Sequence, residues 1–142
     1  MATFTKFEEI QCWQKARELT RNIYSVSKRG QFSSDFGLKD QIRRASVSIM
    51  SNIAEGFDRS GTAEFVQFLS VAKGSAAEVR CQLYVAADQG YIDTKQFKEL
   101  SDLAYETGLM AGGLISYLRQ SGYKGTKYKT RNSKLETSNS QK

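Results

Sequence analysis

Between Thr62 and Asp88 the apolar side chains recur at a spacing that an α-helix turns to one side and a strand would scatter. At 100° per residue, Phe65, Phe68, Leu69, Ala72, Ala76, Val79, Leu83, Ala86 and Ala87 fall within an arc of roughly 100°. A helix this amphipathic needs other helices or a sheet to cover its stripe. The 142-residue chain contains no proline, so the commonest helix breaker is missing throughout.

Three further segments carry the same period. From Glu8 to Lys28, one face gathers Cys12, Trp13, Ala16, Leu19, Ile23 and Val26, with Arg17, Glu18 and Arg21 off it. Phe4 and Phe7 precede it, placed to act as a hydrophobic staple. Gly30, Ser33 and Ser34 break the pattern, and Ser34 or Asp35 is suited to cap a second helix reaching Phe57. The Gly56–Gly61 stretch is expected to form the next turn. Thr62 is expected to cap the third helix, and Glu64 suits its first turn. Gly90 is expected to end that helix in a left-handed conformation. Asp93 or Thr94 would cap a fourth helix reaching about Gln120, striped by Phe97, Leu100, Leu103, Ala104, Ala111, Leu114, Ile115 and Leu118. Gly108, Gly112 and Gly113 weaken it by about 1 kcal/mol each relative to alanine, and predict close helix approach. Four long helices with short turns predict an all-α, antiparallel up-down-up-down four-helix bundle over residues 1–121.

Charge separates this body from the rest. Six of the 21 Lys/Arg and one of the 15 Asp/Glu lie in residues 122–142, so +5 of the net +6 belongs to the C-terminal tail. That tail has no apolar period and is expected to be disordered unless bound. No apolar run approaches the ~18 residues of a membrane span, and the N-terminus lacks a signal-peptide core. The expected location is therefore the cytoplasm, with Cys12 and Cys81 as buried free thiols.

Catalytic chemistry finds few footholds. Histidine is absent, which removes the usual general base, the commonest metal ligand and the Glu-x-x-His pairs of di-iron bundles. Two cysteines alone do not make a zinc site. Lys73-Gly74-Ser75 lacks the strand and glycines of a phosphate loop. Glu55 and Glu78 are better placed as salt-bridge anchors than as a carboxylate pair. The chain is expected to be no enzyme and to need no cofactor or metal.

The second helix differs from the others. Gln41, Ser48, Asn52, Glu55 and Arg59 line up around Ala45, while Leu38, Ile42, Val47, Ile49, Met50, Ile53, Ala54 and Phe57 spread over roughly 180°. Arg43 divides that apolar arc. Either the helix is buried on two sides within its own bundle, or Val47, Met50 and Ala54 meet a neighbouring subunit; an apolar patch of that size is not usually left in water. The polar row could bind a ligand, but a structural network has the better claim, since polar groups near a bundle interior need partners. Its expected members are Gln41, Arg44, Ser48, Asn52, Glu55, Arg59, Ser75 and Glu78.

Four stretches carry a family resemblance: Trp13-Gln-Lys-Ala-Arg17, Leu38-Lys-Asp-Gln-Ile-Arg-Arg-Ala45, Ser51-Asn-Ile-Ala-Glu-Gly56 and Ala72-Lys-Gly-Ser-Ala-Ala-Glu78. Over residues 7–119 the chain resembles bacterial four-helix bundle proteins first named for reading frames within intervening sequences of 23S ribosomal RNA. The resemblance implies a ring-like homopentamer without established enzymatic activity. It also implies a fold shared with the accessory variability determinant (Avd) of diversity-generating retroelements, a basic pentamer that binds a reverse transcriptase and its template RNA. The nearly neutral body departs from that basic barrel. The resulting expectation is a non-catalytic homo-oligomeric scaffold binding RNA or another nucleic acid, with a reverse transcriptase as the protein partner that the resemblance suggests. Arg119, Lys124, Lys127, Lys129, Arg131 and Lys134 would contact phosphate, and Tyr123 and Tyr128 could stack on bases. For the tail the rival expectation is a solvated, solubilising extension; for the protein the rivals are a protein-interaction module that touches no nucleic acid and a small-ligand binder using the polar row.

Overall fold

The computed structural model describes residues 4–59 and 61–121. They form four α-helices, α1 (Gln11–Ser27), α2 (Phe36–Asp58), α3 (Thr62–Asp88) and α4 (Thr94–Ser121), with 3-10 turns at Phe7–Glu9 and Gly30–Ser34. No strand occurs among the described residues. Helix α2 packs against α1 and α3, and α4 packs against α3 and α1. Their apolar stripes meet in one core, where Leu19, Ile23, Ile42, Ile49, Ile53, Leu69, Val79 and Leu83 are fully removed from solvent. Burying each such side chain is worth about 1.5–3 kcal/mol.

Local chemistry sets most helix ends. Asp35 caps α2, its Oδ1 accepting from the Leu38 N–H at 3.1 Å. Its Oδ2 accepts from the Tyr91 hydroxyl at 2.9 Å, and the Tyr91 ring stacks on Phe32 with centroids 5.2 Å apart. The α3–α4 connection is thereby pinned to the start of α2, and the hydrogen bond to Asp35 holds the Tyr91 hydroxyl above its ordinary pKa. At the end of α3, Gly90 has φ +75°, the Gly90 N–H donates to Ala87 O and the Tyr91 N–H to Ala86 O, which is a Schellman motif. Asp93, not Thr94, caps α4: Asp93 Oδ1 accepts from Gln96 N–H at 2.7 Å and Gln96 Oε1 from Asp93 N–H at 2.9 Å.

Three sequence expectations are corrected. Helix α1 begins at Gln11 rather than Glu8, because residues 7–9 close a 3-10 turn first. Thr62 does not cap α3; it is the first helical residue, and its buried hydroxyl has no hydrogen-bond partner among the described residues. Gly56 is not in a turn. It is buried inside α2, where a Cβ would lie 2.5 Å from Phe68 Cβ and 3.2 Å from Phe65 Cδ1. Glycine there lets α2 and α3 approach.

The cysteines also part company. Cys12 is buried, and desolvation pushes its thiol up to about 12, whereas Cys81 is exposed on α3. Buried thiols held protonated react poorly. Ellman's reagent is therefore expected to modify Cys81 promptly in the native protein, and Cys12 only after denaturant is added. Prompt loss of both thiols would contradict this placement.

Candidate nucleic-acid interface

The polar row of α2 resolves into a small network and several surface groups. Ser48 Oγ and Ser75 Oγ lie 3.0 Å apart across the α2–α3 seam, and Asn52 Nδ2 donates to Ser48 O at 2.8 Å and Ser48 Oγ at 3.0 Å. These three side chains satisfy one another and leave little for a ligand. Glu55 and Arg59 form an exposed pair at 2.9 Å, and the Arg59 guanidinium sits 5.1 Å from the Phe68 ring centroid. Arg44 instead pairs with Asp40 at 2.8 Å on the outer surface. Gln41 and Glu78 are likewise exposed and make no hydrogen bond or ion pair with the described residues. Helical angle aligned these groups with the row, but only Ser48 and Asn52 stand at the level of Ser75.

Arg43, which splits the apolar arc, is engaged within the bundle. Its Nε donates to Ser27 Oγ at 2.8 Å, and its guanidinium lies 4.4 Å from the Tyr24 ring centroid. Thr20 Oγ1 bridges the same seam, donating to Ala16 O at 2.8 Å with Ser46 O at 3.2 Å. Of the second apolar face, Met50 packs partly on the core beside α1, Ala54 is half-buried, and Val47 is 38% exposed.

The most distinctive surface lies between α3 and α4. A groove of about 610 Å³ has Ala76, Ala104, Gly74, Gly108 and Gly112 along its walls and floor, and Lys73, Arg80 and Arg119 along its length. No acidic residue lines it among the described residues. The small residues make it a recess: a Cβ on Gly108 would sit 3.7 Å from Ala76 Cβ, and one on Gly112 would sit 3.6 Å from Lys73 Nζ. Arg80 lies over Tyr105, 4.9 Å from the ring centroid, and its Nε has no hydrogen-bond partner among the described residues. Lys73 and Arg80 are seven residues apart on α3, so they stand about 10 Å apart along the helix axis on one face.

This groove explains how a nearly neutral body can still present positive charge. Several of the body's acids are held elsewhere by local partners: Asp40 by Arg44, Glu55 by Arg59, Asp102 by Lys98, and Glu18 and Glu106 by Lys15. Lys73, Arg80 and Arg119 form no ion pair with the described residues. Arg119 was legible in the sequence through its nearness to the basic tail. Lys73 and Arg80 were not, although their i, i+7 spacing across Ala77 was a signal for a shared face. Lys124, Lys127, Lys129, Arg131 and Lys134 lie outside the described residues.

Comparison with known proteins places the fold in a family. The model of the 23S rRNA-intervening sequence protein family matches residues 8–113. The chain belongs to this family. The matched span runs from before α1 into α4 and contains both Lys73 and Arg80, while Arg119 falls beyond it. The chain also shares its fold with a crystal structure from Bacteroides thetaiotaomicron, a protein of unknown function from the S23 ribosomal protein family. The two are 24% identical with a TM-score of 0.68, over 73% of this chain and 97% of the other. No curated protein matches the sequence. Among the described residues, no helix is long and apolar enough to cross a membrane, and no three His, Cys, Asp or Glu side chains are grouped to hold a metal.

Proposed function

We propose that this intervening-sequence protein is a non-catalytic homo-oligomeric scaffold that binds RNA through the α3–α4 groove. The observation that carries the reading is the groove itself: three cations along one recess, with no acid lining it among the described residues. A phosphate chain is the ligand such a surface suits, since each neutralised phosphate releases condensed counterions. RNA is the polyanion that the family description mentions, and the basic residues 122–142 would add further weak contacts. Partnership with a reverse transcriptase and kinship with Avd rest on the sequence resemblance, and no groove residue speaks for either.

The assembly belongs to the same proposal. An antiparallel, up-down-up-down course is supported by the contacts, in which Phe57 meets Phe65 while Ser48 meets Ser75, and Tyr84 meets Phe97 while Arg80 meets Tyr105. A homopentameric ring would cover Val47 and the half-buried Met50 and Ala54 from outside. Met50→Glu is then expected to yield monomer by light scattering, and a wild-type protein already monomeric in dilute solution would end the ring proposal.

The binding test uses the full chain and a fluorescent RNA stem–loop, followed by anisotropy at 50 and 200 mM salt. Three phosphate contacts to a single-stranded region predict a slope of about −2 in log K against log salt, or roughly a 20-fold loss of affinity over that range. The triple variant Lys73→Gln, Arg80→Gln, Arg119→Gln is expected to bind at least tenfold more weakly than wild type at 50 mM salt. No binding at 50 mM salt would overturn the RNA reading. Unchanged affinity in the triple variant would remove the groove from it.

A further inference from the structure

We infer that the α3–α4 groove takes an unpaired strand rather than a duplex, with a base stacked at Tyr105 and the phosphate chain running along Arg80, Lys73 and Arg119. This rests on the RNA-binding reading above and narrows its ligand. The argument begins with shape. Adjacent packed helices have axes about 8–10 Å apart, so the recess between them is narrow. Six of its lining residues are glycine or alanine, which keeps side-chain bulk low along it. A-form duplexes are recognised by elements that reach across the wide minor groove to sugars and phosphates. A recess offers the opposite shape and suits a ligand that can itself enter, as a single flexible strand can.

The chemistry along the groove agrees. Tyr105 is 51% exposed at the edge of the groove, and Arg80 lies over its ring at 4.9 Å. An aromatic ring backed by a guanidinium is a platform for base stacking, and such stacking tolerates any base. The unpartnered Arg80 Nε and the free ammonium of Lys73 stand on the same side of α3. From Tyr105 to Arg119 the groove follows fourteen residues of α4, about 21 Å. That length holds a few nucleotides, at the short end of the ~4–16 nucleotides typical of single-strand binding sites.

The test uses the full chain at 50 mM salt with a fluorescein-labelled uridine 12-mer as the free strand and a fluorescein-labelled, blunt-ended, G·C-rich RNA 12-mer duplex as the paired form. The free strand is expected to bind at least tenfold more tightly than the duplex. Tyr105→Ala should weaken the free strand roughly 5- to 100-fold, with Tyr105→Phe restoring it, because stacking needs the ring and not the hydroxyl. Equal or tighter binding of the duplex, or an unchanged affinity for Tyr105→Ala, would overturn the inference. Because Tyr105 lies at the surface, circular dichroism should show the variants as folded as wild type. If the stem–loop binds and the uridine strand does not, only this inference falls; if neither binds, the RNA reading falls with it.

Discussion

Gly56→Ala is expected to lower the unfolding free energy by roughly 1–3 kcal/mol, even though alanine is the better helix former by about 1 kcal/mol. The new methyl would sit 2.5 Å from Phe68 Cβ. That atom belongs to every residue but glycine, so no rotamer change at Phe68 can make room and α2 and α3 must separate. Gly113→Ala is the matched control. Nothing lies within 4 Å of a Cβ at Gly113, so the same change there should stabilise by up to about 1 kcal/mol. Urea denaturation followed by circular dichroism measures both. Equal effects of the two substitutions would contradict the close approach at Gly56.

Phe65→Ala should be the more damaging substitution, costing about 3–5 kcal/mol. Phe65 is 2% exposed and meets the Phe57 ring edge-to-face at 6.0 Å, at the same end of the α2–α3 seam as Gly56. Domains of this size hold only about 5–15 kcal/mol in total, so the variant would lose a large part of its margin. Its thermal midpoint is expected to fall by on the order of 10–20 °C. A shift of only a few degrees would mean that the cavity collapses or that Phe65 is not packed as described.

The helices were legible because their signals were local. Residues 62–88 were bounded correctly by an uninterrupted stripe and by Gly90, whose left-handed φ of +75° closes the helix. Gly56 is not legible in the sequence, because glycine looks the same as a breaker and as a contact point. Only the position of Phe68 on another helix distinguishes the two. Cys81 lies in a helical pattern that suggests burial, but it faces outward on α3. The polar row was partly legible: Ser48, Asn52 and Ser75 do meet, whereas Gln41, Arg44 and Glu78 share an angle or a neighbourhood without reaching them. The groove was the least visible feature, since Lys73 and Arg80 become a site only when α4 brings Tyr105 and Arg119 beside them.

The placement of the ion pairs has a consequence for handling the protein. Asp40–Arg44, Glu55–Arg59 and Lys98–Asp102 each begin and end on one helix, and the Lys15–Glu106 contact that crosses between α1 and α4 is a loose 3.6 Å. Helix association therefore rests on apolar packing and on hydrogen bonds such as Ser48–Ser75 and Arg43–Ser27 rather than on ion pairs, and screening by salt weakens it little. The polyanion grip proposed for the groove is of the opposite kind. Raising the ionic strength would empty the surface while the scaffold beneath it stays assembled, so a salt wash can regenerate the protein intact on a support.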